Sequence, residues 1–295
     1  MPVPLIDWAN KDNLVEEFKT AFTTLGFGRI YNLWDDDELA IINNWFKCVE
    51  NWFLTATDKE IYTADSDAKQ GWTGLEKQFL NPHKKNDWKE NFELDTFNDF
   101  SYLPPELQKS FEITFPIIRN LSNQLLGVFE QVIGVEKDFL LKAHANSNDH
   151  HFRLAYYPAS TERVNQLPCG EHKDYNTITL LFSPDANKRL QIKTLSGEWT
   201  DIEYLDNSVV INVGNILQIW TQDYLISAPH RVLFNEQASF TSAYFLNISQ
   251  HQKLDKIGPN KQKYFFKDVK SFNRQFHKMK HIHNLKTKNK NINNV

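Results

Sequence analysis

Apolar positions recur at helical spacing through the first half of the chain and at strand spacing through much of the second. Over Asn13–Leu25 the residues Leu14, Phe18, Ala21, Phe22 and Leu25 fall on one helical face, and Gly26 follows as a stop. Asp12 is the expected cap of that helix. Asp35–Phe53 repeats the pattern with acids gathered at its start, where the positive end of the helix dipole favours them. Short extended pieces, Val3–Ile6 and Gly28–Tyr31, flank the first helix. A Gly-rich break falls at Gly71–Gly74, and Pro104–Ile133 reads as a further helix with Pro104 and Pro105 near its start.

After about Asp149 the apolar residues come in short runs separated by turn residues. Phe152–Tyr157, Thr177–Phe182, Leu190–Ile192, Ser208–Val213, Leu217–Trp220, Arg231–Phe234 and Thr241–Asn247 all read as strands. Closely spaced strands after a helical region imply an antiparallel sandwich or barrel preceded by helices. Lys278–Val295 is rich in Lys and Asn and reads as a frayed, solvated tail. No internal repeat is visible.

Composition narrows the function. At 295 residues the chain is expected to be one catalytic unit with appendages. Thirty-three Lys plus Arg stand against 37 Asp plus Glu, a formal net charge of -4, which argues against nucleic acid or an anionic membrane as partner and for a small molecule. Cys48 and Cys169 match no zinc or disulfide spacing, as expected of a reducing compartment. The N-terminus lacks a signal-like apolar run and no later run reaches membrane-spanning length, so a cytoplasmic protein is expected. Eight Trp and 22 Phe are enough large rings to fill a wide barrel or a substrate pocket. Of these, Trp72, Phe79 and Trp88 are candidates to cover the barrel mouth, with core packing the alternative.

Candidate chemistry starts at Gly170-Glu171-His172-Lys173-Asp174-Tyr175. An imidazole and a carboxylate two residues apart project to the same face of an extended strand, so His172 and Asp174 can reach one metal. His230, in Ser227-Ala228-Pro229-His230-Arg231-Val232, supplies a third ligand from the start of another expected strand. Two His and one carboxylate on one face of an octahedron leave the opposite face open for O2 and a bidentate organic ligand. An HxD pair alone is common on strand surfaces. His150-His151 and His281-x-His283 lack a nearby carboxylate or Cys at useful spacing and read as surface histidines. No phosphate-binding Gly-rich loop, G-x-S-x-G elbow or Cys/His nucleophile pair is present.

The text around the ligands resembles the isopenicillin N synthase-like branch of the Fe(II)/2-oxoglutarate oxygenases. That branch's HTDYGTITLL block is similar to His172–Leu181, its GLQV to Arg189–Ile192, its GEW to Gly197–Trp199, its VNIGD-LQ-W to Ile211–Trp220 and its PHRV to Pro229–Val232. Leu154–Pro158 resembles LNYYP, Asp87–Phe92 resembles DWKE-F, and Val3–Asp7 and Leu25–Phe27 are similar to PVIDL and GFF. The resemblance spans most of residues 3–247. It implies an α+β protein: a mixed N-terminal region over 1–148 with helices, a double-stranded β-helix (jelly-roll) core over 149–250, and a C-terminal helix and tail over 251–295. It further implies Fe(II) on His172, Asp174 and His230, a small organic substrate oxidised by O2 through hydroxylation, desaturation or cyclisation, and 2-oxoglutarate as possible cosubstrate.

Two departures bear on that cosubstrate. Relatives carry an Arg in an R-x-S motif that grips its far carboxylate. Counting back from Tyr244-Phe245-Leu246-Asn247, the Arg position is Ser239 and the Ser position Thr241, and no Lys or Arg lies between Arg231 and Lys253. Ala155 replaces the Asn of LNYYP, while Tyr157 keeps a hydroxyl that can face the cosubstrate. Tyr157, Thr241 and Ser239 are therefore the candidate cosubstrate residues. Three explanations stay open: a basic residue from another strand (Arg153, Lys188, Arg189 or Lys193) supplies the charge, the primary substrate supplies all the electrons, or the fold is kept as a non-catalytic binding module. Arg231 is expected to point away from the His230 face and to make a structural ion pair.

Overall fold

The computed structural model describes residues 2–64, 70–78, 85–94, 100–145, 150–184, 189–203 and 205–275. Helix α1 (Leu14–Thr24) buries Leu14, Phe18, Ala21 and Phe22, the stripe its spacing predicts. Its cap residue is Asn13 and not Asp12, and no side chain bonds the first turn. Gly26 follows with φ 71°, and a Cβ there would stand 1.9 Å from the Ile226 carbonyl oxygen, so only glycine fits. Helix α2 (Asp36–Thr55) is capped by Asp35, whose side chain accepts from the Glu38 amide at 2.9 Å. Helix α3 (Pro105–Ile133) is the spine of the N-terminal region, with α1 and α2 both packed on it. Phe18 and Phe22 of α1 meet Phe129 at 5.5 and 4.8 Å between ring centroids, and Trp45 of α2 meets Phe111 at 5.1 Å.

The strands are β1 (Leu5–Asp7), β2 (Phe27–Tyr31), β3 (Gly71–Thr73), β4 (Glu90–Leu94), β5 (His151–Tyr157), β6 (Cys169–His172), β7 (Ile178–Phe182), β8 (Leu190–Lys193), β9 (Trp199–Asp201), β10 (Val209–Val213), β11 (His230–Val232) and β12 (Ser239–Leu246). They form an eight-stranded sheet in the order β1-β2-β10-β7-β12-β5-β4-β3 and a four-stranded sheet in the order β6-β11-β8-β9. The architecture is the expected α+β jelly-roll. The main apolar cluster joins the helices to the large sheet, while smaller clusters, one around Phe27, Ile192 and Val210 and one around Ala155, Tyr157 and Cys169, involve strands of both sheets.

Several elements differ from the pattern-based reading. Leu217–Trp220 belongs to a helix, α5 (Asn215–Trp220), because a short, fully buried apolar run has no period that separates strand from helix. Gly71 opens a strand instead of a break. Strands β4 and β9 and helix α4 (Phe139–Ala145) have no counterpart in the expected elements, and the extended strand expected to carry both His172 and Asp174 ends at His172, as β6. Residues 269–275 are helical, and Val269 and Phe272 are buried in the main cluster. The Lys/Asn-rich stretch from Lys278 lies outside the described residues. Among those described, no helix is long and apolar enough to cross a membrane.

Candidate metal centre

Antiparallel β6 and β11 set His172 directly opposite His230, one at the end of β6 and the other at the start of β11. Asp174 follows in the turn toward β7. Nε2 of each imidazole lies 3.6 Å from the same oxygen, Oδ1 of Asp174, and the three donor atoms lie within 4.8 Å of one another. At 3.6 Å neither contact is a hydrogen bond. Such spans suit one divalent ion roughly 2.0–2.2 Å from each donor. The chemistry of the donor set, two neutral nitrogens and one carboxylate oxygen, fits Fe(II). Among the described residues this is the one group of three metal-binding side chains.

Neighbouring groups aim the donors. Nδ1 of His172 stands 2.8 Å from the Gly170 carbonyl and Nδ1 of His230 stands 3.3 Å from the Ala228 carbonyl. With a proton on each Nδ1 donating to that carbonyl, Nε2 is the nitrogen that faces Asp174 and would bind a metal. The other carboxylate oxygen, Oδ2, accepts from Thr179 Oγ1 at 2.6 Å and Asn212 Nδ2 at 2.7 Å. The Asp174 carbonyl accepts from the Asn215 amide at 2.8 Å, tying the turn to α5. Burial alone raises the Asp174 carboxyl, but the two imidazoles, His230 foremost, hold it well below its usual range. Burial likewise opposes charge on His172, yet the Cys169 sulfur and Asp174 outweigh it and raise the imidazole to about 10. Without a metal a proton therefore sits on the His172 imidazole, and a bound cation would take its place.

A cavity of about 60 Å³ opens beside the three residues, lined also by Lys89, Arg153, Tyr157, Cys169, Thr241 and Phe245. A surface depression of about 300 Å³ lies elsewhere, between Lys173, Lys193 and Asp223, and holds no such convergence of donors.

Residues 148–248 match the 2OG-Fe(II) oxygenase superfamily. That region, which carries His172, Asp174 and His230, belongs to it. Over 276 residues it is 29% identical to a UPF0676 protein of Schizosaccharomyces pombe, covering 87% of this chain and 85% of that protein. It is 26% identical to 1-aminocyclopropane-1-carboxylate oxidase homolog 3 of Arabidopsis thaliana, covering 87% and 72%. A full-length Neurospora crassa protein solved in complex with alpha-KG superposes with a TM-score of 0.78 at 23% identity, covering 92% of this chain and 95% of the other. The isopenicillin N synthase-like branch is consistent with these relatives. An Fe(II) oxygenase is accordingly an oxidoreductase, and this chain is one.

Within the superfamily frame, the departures take a definite place. Ser239 is buried on β12 directly opposite Tyr157 of β5 and is not among the cavity-lining residues. Tyr157 and Thr241 both line the cavity and their side chains are hydrogen-bonded, and burial, then the nearby Cys169 sulfur, pushes the phenol up to about 12. Of the basic residues weighed as substitutes, Arg153 lines the cavity but is taken by Glu93 at 2.7 Å. Lys193 pairs with Glu171 near the surface, Arg189 donates to the Gln237 carbonyl, and Lys188 lies outside the described residues. Arg231 does point away from the metal centre, but its partners are the Gln191 side-chain oxygen at 2.7 and 2.9 Å and the Trp199 ring at 4.0 Å, not a carboxylate.

His150 and His151 are half-buried structural groups, the first accepting from the Asn247 amide and the second paired with Glu93. His281 and His283 lie outside the described residues, as does Phe79. Trp72 bonds Glu90 at 3.0 Å, and Trp88 lies under the Arg163 guanidinium at 3.5 Å. Three contributors escaped sequence reasoning: Asn212 and Thr179, which hold Asp174, and Lys89 in the cavity. Thr179, Asn212 and Lys89 stand inside the quoted HTDYGTITLL-like, VNIGD-like and DWKE-like blocks, which was the available signal.

Proposed function

We propose that His172, Asp174 and His230 hold Fe(II) and that the chain oxidises a small organic substrate with O2, using a 2-oxo acid such as 2-oxoglutarate as cosubstrate. The observation that carries this reading is the Asp174 carboxylate: one oxygen is clamped by Thr179 and Asn212 while the other meets both imidazole nitrogens. When bound, Fe(II) supplies the coupling of O2 reduction to oxidation of a carbon centre. The chain's own residues position and shield. Nδ1–H bonds to Gly170 and Ala228 orient the imidazoles, Phe27 packs edge-on against His230 at 5.4 Å, and Leu190, Val232 and Phe245 give the cavity apolar walls that exclude water. Tyr157 and Thr241 offer hydroxyls to the cosubstrate.

The acidic net charge supports a small-molecule partner over nucleic acid, and the absence of paired cysteines supports a cytoplasmic setting. The division into 1–148, 149–250 and 251–295 follows the same reading.

An anaerobic Fe(II) titration with and without 2-oxoglutarate tests the proposal. Stoichiometric iron and a visible charge-transfer band on adding 2-oxoglutarate are expected. Iron without the band moves the reading to a 2-oxoglutarate-independent oxidase, which the serine at position 239 favours. Absence of iron binding overturns both.

A further inference from the structure

We infer that Lys89 is the cation that receives the far carboxylate of a dicarboxylic 2-oxo acid in this chain, an inference that rests on the oxygenase reading above. Among the described residues the cavity beside the proposed metal ligands is lined by two permanent cations, Arg153 and Lys89. Arg153 is committed: its Nε donates to Glu93 at 2.7 Å and its guanidinium lies 5.3 Å from the centre of the Phe245 ring. Lys89 is only 4% exposed, and its Nζ has Asp87 Oδ2 at 3.1 Å and Cys169 Sγ at 3.5 Å. An ammonium has three donors, and the Asp87 and Cys169 contacts engage two of them. Asp87 is not a lining residue and is itself held by the Gly170 amide at 3.2 Å. The ammonium therefore keeps donor capacity toward the cavity, where the Tyr157 and Thr241 hydroxyls also converge.

Sheet register supports the assignment. Ser239 of β12 lies opposite Tyr157 of β5, and Glu90 of β4 lies opposite Tyr156. Continuing the antiparallel register by one residue sets Lys89 beside Tyr157, so Ser239, Tyr157 and Lys89 form one transverse row. Side chains alternate along each strand, and Lys89 and Tyr157 both face the cavity. At the position where the resembled oxygenases carry an Arg this row has Ser239, and its cation stands two strands away, about 10 Å across the sheet, a displacement that a four-carbon stem reaching inward offsets. Cys169 Sγ lies 4.0 Å from His172 Nδ1 as well as beside Lys89, so the ammonium is one side chain removed from a proposed metal ligand. A five-carbon diacid chelated at one end has its second carboxylate at that remove.

The test compares 2-oxoglutarate with 2-oxopentanoate, which keeps the chelating head and lacks the far carboxylate. Both are titrated anaerobically into the Fe(II)-loaded protein, with the charge-transfer band as readout. The wild type is expected to favour 2-oxoglutarate, and Lys89→Met to weaken it by about 10–100-fold while leaving 2-oxopentanoate and Fe(II) affinity nearly unchanged. Because Lys89→Met strands a buried Asp87, the double variant Asp87→Asn/Lys89→Met removes both charges and is expected to lose the same preference. A wild type without preference, or a variant that retains it, overturns the role of Lys89. A wild type that binds Fe(II) but chelates neither acid overturns instead the 2-oxo acid reading on which it rests.

Discussion

Asn212 donates a 2.7 Å hydrogen bond to Oδ2 of Asp174 and thereby decides which carboxylate oxygen faces the imidazoles. Asn212→Leu is expected to lower Fe(II) affinity by about 10–100-fold, the usual cost of losing a group that orients a ligand. Thr179→Val acts in the same direction. Calorimetric titration of the anaerobic proteins checks this, and an unchanged affinity in both variants removes the orienting role.

Replacing any of His172, Asp174 or His230 by Ala is expected to abolish iron at one equivalent, because two donors cannot hold a cation that needs the whole face. Iron content after desalting reads the outcome. Tight iron retained in any of the three overturns the ligand set.

Gly214 has no room for a side chain: a Cβ would stand 2.1 Å from the Asn176 carbonyl oxygen. Gly214→Ala is expected to cost about 1–3 kcal/mol or more of stability, and to weaken iron binding, since the next amide, that of Asn215, anchors Asp174. Gly127 in α3 is the control, with nothing within 4 Å of its Cβ position. Gly127→Ala is expected to stabilise by about 0.5–1 kcal/mol through helix propensity. Denaturant unfolding of the pair gives both numbers.

His144 is buried, with Nδ1 2.7 Å from the Leu140 carbonyl and Nε2 2.7 Å from Thr177 Oγ1, and burial holds its pKa down to about 3. The unfolded chain protonates this group near 6.5, so between about 6.5 and 3 it binds the extra proton and stability falls as pH falls. Above that window the contribution is fully present. Over the window the loss is on the order of a few kcal/mol. His144→Gln is expected to flatten this part of the stability–pH curve, and an unchanged slope rejects the assignment.

The helices α1, α2 and α3 were legible because each buries one face and wets the other, and β5, β7, β10 and β12 because their apolar runs are β-branched and aromatic. Strand β4 was not. Its inward positions Asn91 and Glu93, with Lys89 just before it, are polar yet buried, so the alternation that marks a strand carries the opposite sign to a solvent-facing sheet. Strands β3 and β9 are too short to show any period. The His172, Asp174 and His230 constellation was legible from spacing and from resemblance. The Asn212 and Thr179 clamp was not, because a buried amide or hydroxyl in an apolar strand announces no partner until the strands are laid side by side.

Strand β2 finds its antiparallel neighbour only in β10, with Ile30 opposite Val209. During synthesis the ribosome must release the 179 positions that separate Ile30 from Val209 before that edge can close, and Asn212 arrives on the same strand. Maturation of the centre is thus a late event in the life of the nascent chain, governed by loop closure over a very long span and slow for that reason. Until then, the open edge of β2 is what a chaperone would meet.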